Sequence, residues 1–122
     1  MTQQSVPKIL VVDDEPLVRI NAAEMIEEAG WCALEAANSA EALRVLADNR
    51  DVDVLFTDIN MPGAMDGLAL AQCVHQLHPK VELVITSGKR VIADSALPDE
   101  GTFLRKPYGY DELTQVIERK LG

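Results

Sequence analysis

Five times along this chain a short apolar, β-prone run gives way to a longer stretch whose apolar residues recur at helical spacing. The runs are Lys8–Val12 (KILVV), 31–36, 53–57 (DVLFT), 81–86 (VELVIT) and Thr102–Arg105. Nearly continuous apolar strands separated by helices belong to a parallel sheet covered on both faces. Right-handed crossovers then make the fold a doubly wound α/β sheet of five strands. The first helix opens at Pro16, carries Val18, Ala22, Met25, Ile26 and Ala29 inward, and ends at Gly30. Ser39 is the expected N-cap of a second helix through about Asp48, with Ala42, Leu43 and Leu46 inward. Asp66 is the expected cap of a third through about Leu77, with Leu70, Ala71, Val74 and Leu77 facing the core and Pro79 just beyond. The segment 89–97 is a poor helix former, soon broken by Pro98 and Gly101, so a fourth helix is expected to be short or irregular. The last helix starts at Tyr110 or Asp111 and runs to Lys120, with Leu113, Val116, Ile117 and Leu121 apolar. With 122 residues and no linker, repeat or low-complexity tract, one domain over 1–122 is expected, its core at about 7–121.

Charge narrows the function. The formal net charge is −9, which repels a phosphate backbone, so direct nucleic-acid binding is not expected. No apolar run approaches the ~20 residues that span a bilayer, so no membrane insertion is expected. Met1–Ser5 lacks the basic and apolar regions of a secretory leader, and a cytoplasmic location is expected. Cys32 and Cys73 lie far apart without CxxC spacing and read as small buried apolar residues, not a disulfide.

Open parallel sheets place ligand sites at the carboxyl ends of their strands. Here those ends read Asp13-Asp14-Glu15, Asp58, Thr86-Ser87 and Arg105-Lys106-Pro107. Clustered carboxylates repel one another unless a cation neutralises them. Asp13, Asp14 and Asp58 offer the hard oxygens that Mg²⁺ takes from protein, with waters or phosphate oxygens completing its octahedron. A carboxylate can also act as nucleophile and form an acyl phosphate. Phosphoryl transfer needs in-line placement and neutralised equatorial oxygens, which Mg²⁺, Lys106 and the Thr86 hydroxyl are suited to supply.

Asp13-Asp14 after KILVV, Asp58 in the run DINMPGAMDG, Thr86 in VITSG and Lys106-Pro107 together resemble the signature set of response-regulator receiver domains. The resemblance covers about Pro7 to Leu121, with each motif at an expected strand end. It implies a flavodoxin-like sheet of strand order 2-1-3-4-5. It also implies that Asp58 is the phosphoacceptor, that Asp14 binds Mg²⁺ directly and Asp13 mainly through water, and that the Asn60 backbone carbonyl is a further ligand. Mn²⁺ or Ca²⁺ would be able to substitute. Lys106 would pair with the phosphoryl group and form a cis peptide with Pro107. Thr86 would move toward the phosphoryl oxygens, and Phe103 stands where the family has its switch aromatic. The implied partners are a histidine kinase or histidine phosphotransfer protein, and a downstream protein met through the face of the fourth helix, fifth strand and fifth helix. Such a domain assists its own phosphorylation and dephosphorylation but is not a turnover enzyme on an external substrate.

Two departures stand out. The loop MPGAMDG is a residue longer than the common form, and the stretch between Thr86 and Lys106 is short and contains Gly88, Pro98 and Gly101. Gly88 leaves the site open to water, so the phosphoryl group is not expected to be unusually long-lived.

Singly, each feature has an ordinary reading. Asp13-Asp14 can cap a helix, Asp58 can open a turn, Thr86 favours strands, the Asn60 side chain is uninformative, and Phe103 can be core. His75 and His78, near a helix end, read as surface residues, and Arg19 as solvated or partner-facing. Three rivals remain beside a stand-alone receiver. One is the N-terminal receiver of a longer regulator with a DNA-binding or enzymatic output domain. Another is a small-phosphoester hydrolase, disfavoured because Asn60 stands where a second acid is usual. The third is a phosphate-independent scaffold.

Overall fold

The computed structural model describes residues 6–122; Met1–Ser5, read above as lacking a leader, lies outside the described residues. The elements are β1 (Lys8–Val12), α1 (Pro16–Glu28), β2 (Cys32–Ala36), α2 (Ser39–Asp48), β3 (Val54–Asp58), α3 (Gly67–Leu77), β4 (Glu82–Ser87), β5 (Thr102–Arg105) and α4 (Tyr110–Leu121). The five strands form one parallel sheet in the order β2-β1-β3-β4-β5, as expected.

Alternation along each strand splits the apolar residues between two cores. Leu10, Val12, Leu55, Leu83 and Ile85 face α2 and α3, meeting Ala42, Leu46, Leu70, Ala71 and Val74. Ile9, Val11, Val54, Phe56 and Val84 face α1 and α4, meeting Ala22, Ile26, Leu113, Val116 and Ile117. A strand buried on both faces needs apolar residues at successive positions, which is why β1 and β3 read as unbroken runs.

Several local expectations are corrected. The cap of α2 is Asn38, whose side chain accepts from Glu41 N–H at 2.9 Å, while Glu41 accepts from Ala37 N–H at 3.0 Å. Ser39 is the first helical residue, and its hydroxyl donates to Met65 O at 2.9 Å, tying α2 to the loop before α3. Leu77 does not face the core. It is 60% exposed as the last residue of α3. Both cysteines are free and half-buried rather than buried.

The expected fourth helix is absent among the described residues. Two 3₁₀ turns, Asp94–Ala96 and Pro98–Glu100, stand in its place. The β-branched pair Val91-Ile92 and the early Pro98 leave too short a run for helix nucleation. The helix after β5 is therefore α4, the fifth in the expected count.

Candidate functional site

The site lies where β1, β3, β4 and β5 end. Asp13 follows β1 and is 3% exposed; Asp58 closes β3 and is 4% exposed. Their neighbour Asp14 is half-buried. One carboxylate oxygen from each of the three lies within 4.8 Å of the others. Lys106 Nζ reaches across from the end of β5, 3.0 Å from Asp13 Oδ2 and 3.5 Å from Asp58 Oδ2.

Backbone contacts fix this convergence. Asp13 N–H donates to Ala36 O at 3.2 Å, continuing the ladder past β1. The Asp13 carboxylate accepts from Glu15 N–H at 3.0 Å, and neither aspartate caps α1, whose N-cap is Glu15. Lys106 N–H donates to Ser87 O at 3.1 Å, and the Lys106–Pro107 peptide is cis. Gly67 sits against β3: a Cβ there would lie 1.9 Å from the Asp58 carbonyl oxygen, so only glycine fits. Its N–H donates to Ile59 O at 2.9 Å.

One lysine faces three acids. Burial raises the Asp58 pKa, Lys106 lowers it, and Asp13 raises it again, leaving it above the usual carboxylate value. Burial would lower the Lys106 pKa, but the hydrogen bond to Asp13 and the charges of Asp13 and Asp58 outweigh it and raise it. These two shifts agree: the pocket is short of positive charge. Hard oxygens in a charge-deficient pocket fit a divalent cation of the Mg²⁺ type.

Thr86 pairs with Asp58 in the β3–β4 register. It is 2% exposed, and its hydroxyl oxygen has no hydrogen-bond partner. An unmet buried hydroxyl is costly, and it stands ready for an acceptor at the end of β3. Phe103 is set apart from this cluster. On β5 it pairs with Ile85 of β4, and it packs half-buried against the core under α2 and α3, as Ile92 does.

Four residues carry more of the site than their sequence context shows. Ser87 is fully buried, and its oxygen accepts from Asn60 Nδ2, Lys89 N–H and Arg90 N–H, each at 3.1 Å. The Asn60 side chain, read as uninformative, therefore ties the loop after β3 to the end of β4. Arg19, read as solvated or partner-facing, instead donates to Asp13 O at 3.0 Å and pairs with Glu35 at 3.1 Å. Its place one turn after Pro16 is the only sequence hint that it returns toward Asp13. Tyr108 stands edge-on to Phe56, with ring centroids 5.4 Å apart. Burial, then Asp13 and Asp58, push its phenol well up. With Val18, Asn21, Gly88, Lys106 and Pro107 it lines a cleft of about 420 Å³ that opens onto Lys106.

The sequence model of the response regulator receiver domain family matches residues 9–118. The chain is 36% identical over 117 residues to the DNA-binding transcriptional regulator NtrC of Escherichia coli strain K12, which covers 93% of this chain but only 24% of that protein. The chain thus spans about a quarter of that relative's length. Among solved structures it resembles a receiver domain protein from Clostridium thermocellum (TM-score 0.86, 29% identity, 95% of this chain and 94% of that one). It also resembles the receiver domain of the hybrid histidine kinase CckA (TM-score 0.82, 31% identity, 94% and 99%).

Proposed function

The chain belongs to the response regulator receiver domain family of two-component signalling, and from that premise we propose that Asp58 is its phosphoacceptor. The observation that carries this is the meeting of Asp13, Asp14 and Asp58 within 4.8 Å, with Lys106 Nζ beside two of them. Of the three acids, Asp58 combines deep burial with a place opposite the unpartnered Thr86 hydroxyl.

In this reading a carboxylate oxygen of Asp58 attacks the phosphorus of a phosphohistidine. The P–N bond breaks, and its electron pair leaves with the imidazole, which is protonated as it departs. Asp13, Asp14, Asp58 and the Asn60 carbonyl would hold Mg²⁺, for which Mn²⁺ or Ca²⁺ would substitute, and the cation would supply charge to offset the acids and the phosphoryl oxygens. Lys106 moves from Asp13 and Asp58 onto the phosphoryl group. Thr86 donates its free hydroxyl to a phosphoryl oxygen, and Phe103 follows on the neighbouring strand. The chain's own groups promote both gain and loss of the phosphoryl group, and it turns over no external substrate.

Its donors are a histidine kinase or a histidine phosphotransfer protein. Its output is a protein met through β5, α4 and the 3₁₀ segment standing where a fourth helix was expected. A cytoplasmic setting suits this exchange, and among the described residues no helix is long and apolar enough to cross a membrane. A second reading has an observation in its favour. NtrC is about four times longer than the matched region, so this domain also fits as the receiver of a longer regulator with a DNA-binding or enzymatic output.

Intact-mass spectrometry after incubation with acetyl phosphate tests the chemistry. One phosphoryl adduct in wild type, absent without Mg²⁺ and absent in Asp58→Asn, is expected. An unchanged adduct in Asp58→Asn would assign the nucleophile elsewhere.

A further inference from the structure

β5 pairs with β4 alone and so forms one edge of the sheet. In a parallel ladder a residue's N–H and C=O point to one side, and successive residues alternate sides. Lys106 N–H points inward to Ser87 O, so Thr102 and Leu104 also face β4, and Phe103 and Arg105 face out. Outward backbone groups on an edge strand are a template for another strand unless something covers them. Here the Phe103 N–H is covered by one side chain, Asp94, whose Oδ1 accepts it at 2.9 Å.

Asp94 belongs to the irregular segment that replaces a helix. That segment has turn hydrogen bonds from Ala96 to Ala93 and from Leu97 to Asp94. It is pinned at its start by Ser87 Oγ, and by half-buried Ile92 and buried Leu97 against the core. Val91 and residues 93–96 are exposed. A helix would satisfy its own backbone along its whole length; this segment does so only at its short 3₁₀ turns.

We propose that the outer edge of β5, at Phe103 and Arg105, is a docking site for an extended acidic strand of a target protein, and that Asp94 is the latch that closes it. The occupant adds a strand through the backbone groups of Phe103 and Arg105. Its acidity follows from the cations at the carboxyl end of β5, the neighbouring acids among the described residues being Asp94, engaged on Phe103 N–H, and Glu100, before the start of the strand. Lys89, Arg90 and Arg105 are exposed together, because Ser87 holds the first two and pairs in register with the third. A second copy fits less well, because it would bring its own Lys89, Arg90 and Arg105 against these cations and two chains of net charge −9 repel each other. The trigger, though not the edge itself, rests on the reading of Asp58 as acceptor. Movement of Thr86 toward a phosphoryl group draws on its neighbour Ser87, which holds the start of the segment bearing Asp94.

Amide hydrogen exchange followed by NMR on the full chain tests the latch in wild type, Asp94→Ala and Asp94→Asn, each with and without Mg²⁺ and beryllofluoride. Asp94 is exposed, so both variants keep the core. In Asp94→Ala the Phe103 amide is expected to exchange about tenfold faster, while Asp94→Asn, which keeps an acceptor oxygen, stays near wild type. Beryllofluoride on wild type is expected to reproduce the Asp94→Ala pattern. Short extended peptides selected from a phage-displayed library on Asp94→Ala are expected to be acidic and to protect the amides of Phe103 and Arg105. The proposal is overturned if Phe103 stays protected in Asp94→Ala, if the selected peptides protect other amides, or if Asp94→Ala instead dimerises. Bound beryllofluoride with Phe103 still protected would overturn the latch as an output of the switch. Beryllofluoride that does not bind would count against the acceptor reading, and the Asp94→Ala arm would still decide the edge.

Discussion

At the scale of single residues, the cluster of acids and a lysine was legible where parallel strands end. Asp13, Asp14, Asp58 and Lys106 are far apart in sequence, yet parallel strands all finish at one edge, and the structure brings the four together. Arg19 and Ser87 were not legible, because their roles depend on the backbone groups they reach and not on residue type. The raised pKa of Asp58 has a testable sign. The folded chain holds that proton more tightly than the unfolded chain, so the ionised acid weakens the fold as pH rises above the ordinary carboxylate value of 3.8. Asp58→Asn is therefore expected to melt a few degrees higher at neutral pH, with the gain vanishing below that value, as calorimetry across pH would show. Thr86→Val removes an unmet buried hydroxyl at nearly constant shape. It is expected to stabilise the chain by about 1 kcal/mol in urea unfolding while weakening beryllofluoride binding. Gly88 leaves ordinary contact distance to Lys106, with its would-be Cβ 3.5 Å from the Lys106 Cβ. Gly88→Met, which narrows the cleft, is expected to lengthen the life of the acyl phosphate several-fold in a mass-spectrometric decay.

At the scale of elements, hydrophobic period placed every strand within a residue or two, and helix starts as well. The misses are local and physical. Asn38 outcompeted Ser39 as a cap because Ser39 is drawn to Met65 O. Leu77 fits the helical period, but it is the last residue of α3, with no further turn of the helix to cover it. The irregular segment after β4 was foreseen from Gly88, Pro98 and Gly101, but its hold on β5 through Asp94 was not, since an acidic loop residue gives no sign of its acceptor. The junction of β3 with α3 carries the sharpest prediction. Gly67→Ala would drive a methyl group into the Asp58 carbonyl, and a loss of about 3 kcal/mol is expected in urea unfolding, with slower phosphorylation in the protein that remains folded.

At the scale of the whole molecule, alternating strands and helices were enough to give the sheet, its two cores and the edge that holds the site. Sequence order alone does not give the spatial order 2-1-3-4-5; that came with the family resemblance and is observed. The same architecture leads to the expectation that stability responds to metal. Mg²⁺ at ten times its dissociation constant is expected to stabilise wild type by about 1.4 kcal/mol, read as a melting shift, and to do much less for Asp13→Asn or Asp58→Asn. We propose that, of three acids within reach of one another, Asp58 carries the phosphoryl group. Borohydride reduction of the phosphorylated chain converts the acylated aspartate to homoserine, and peptide mapping then finds it. Homoserine at position 58 alone is the predicted result; homoserine at position 13 or 14 would contradict the account.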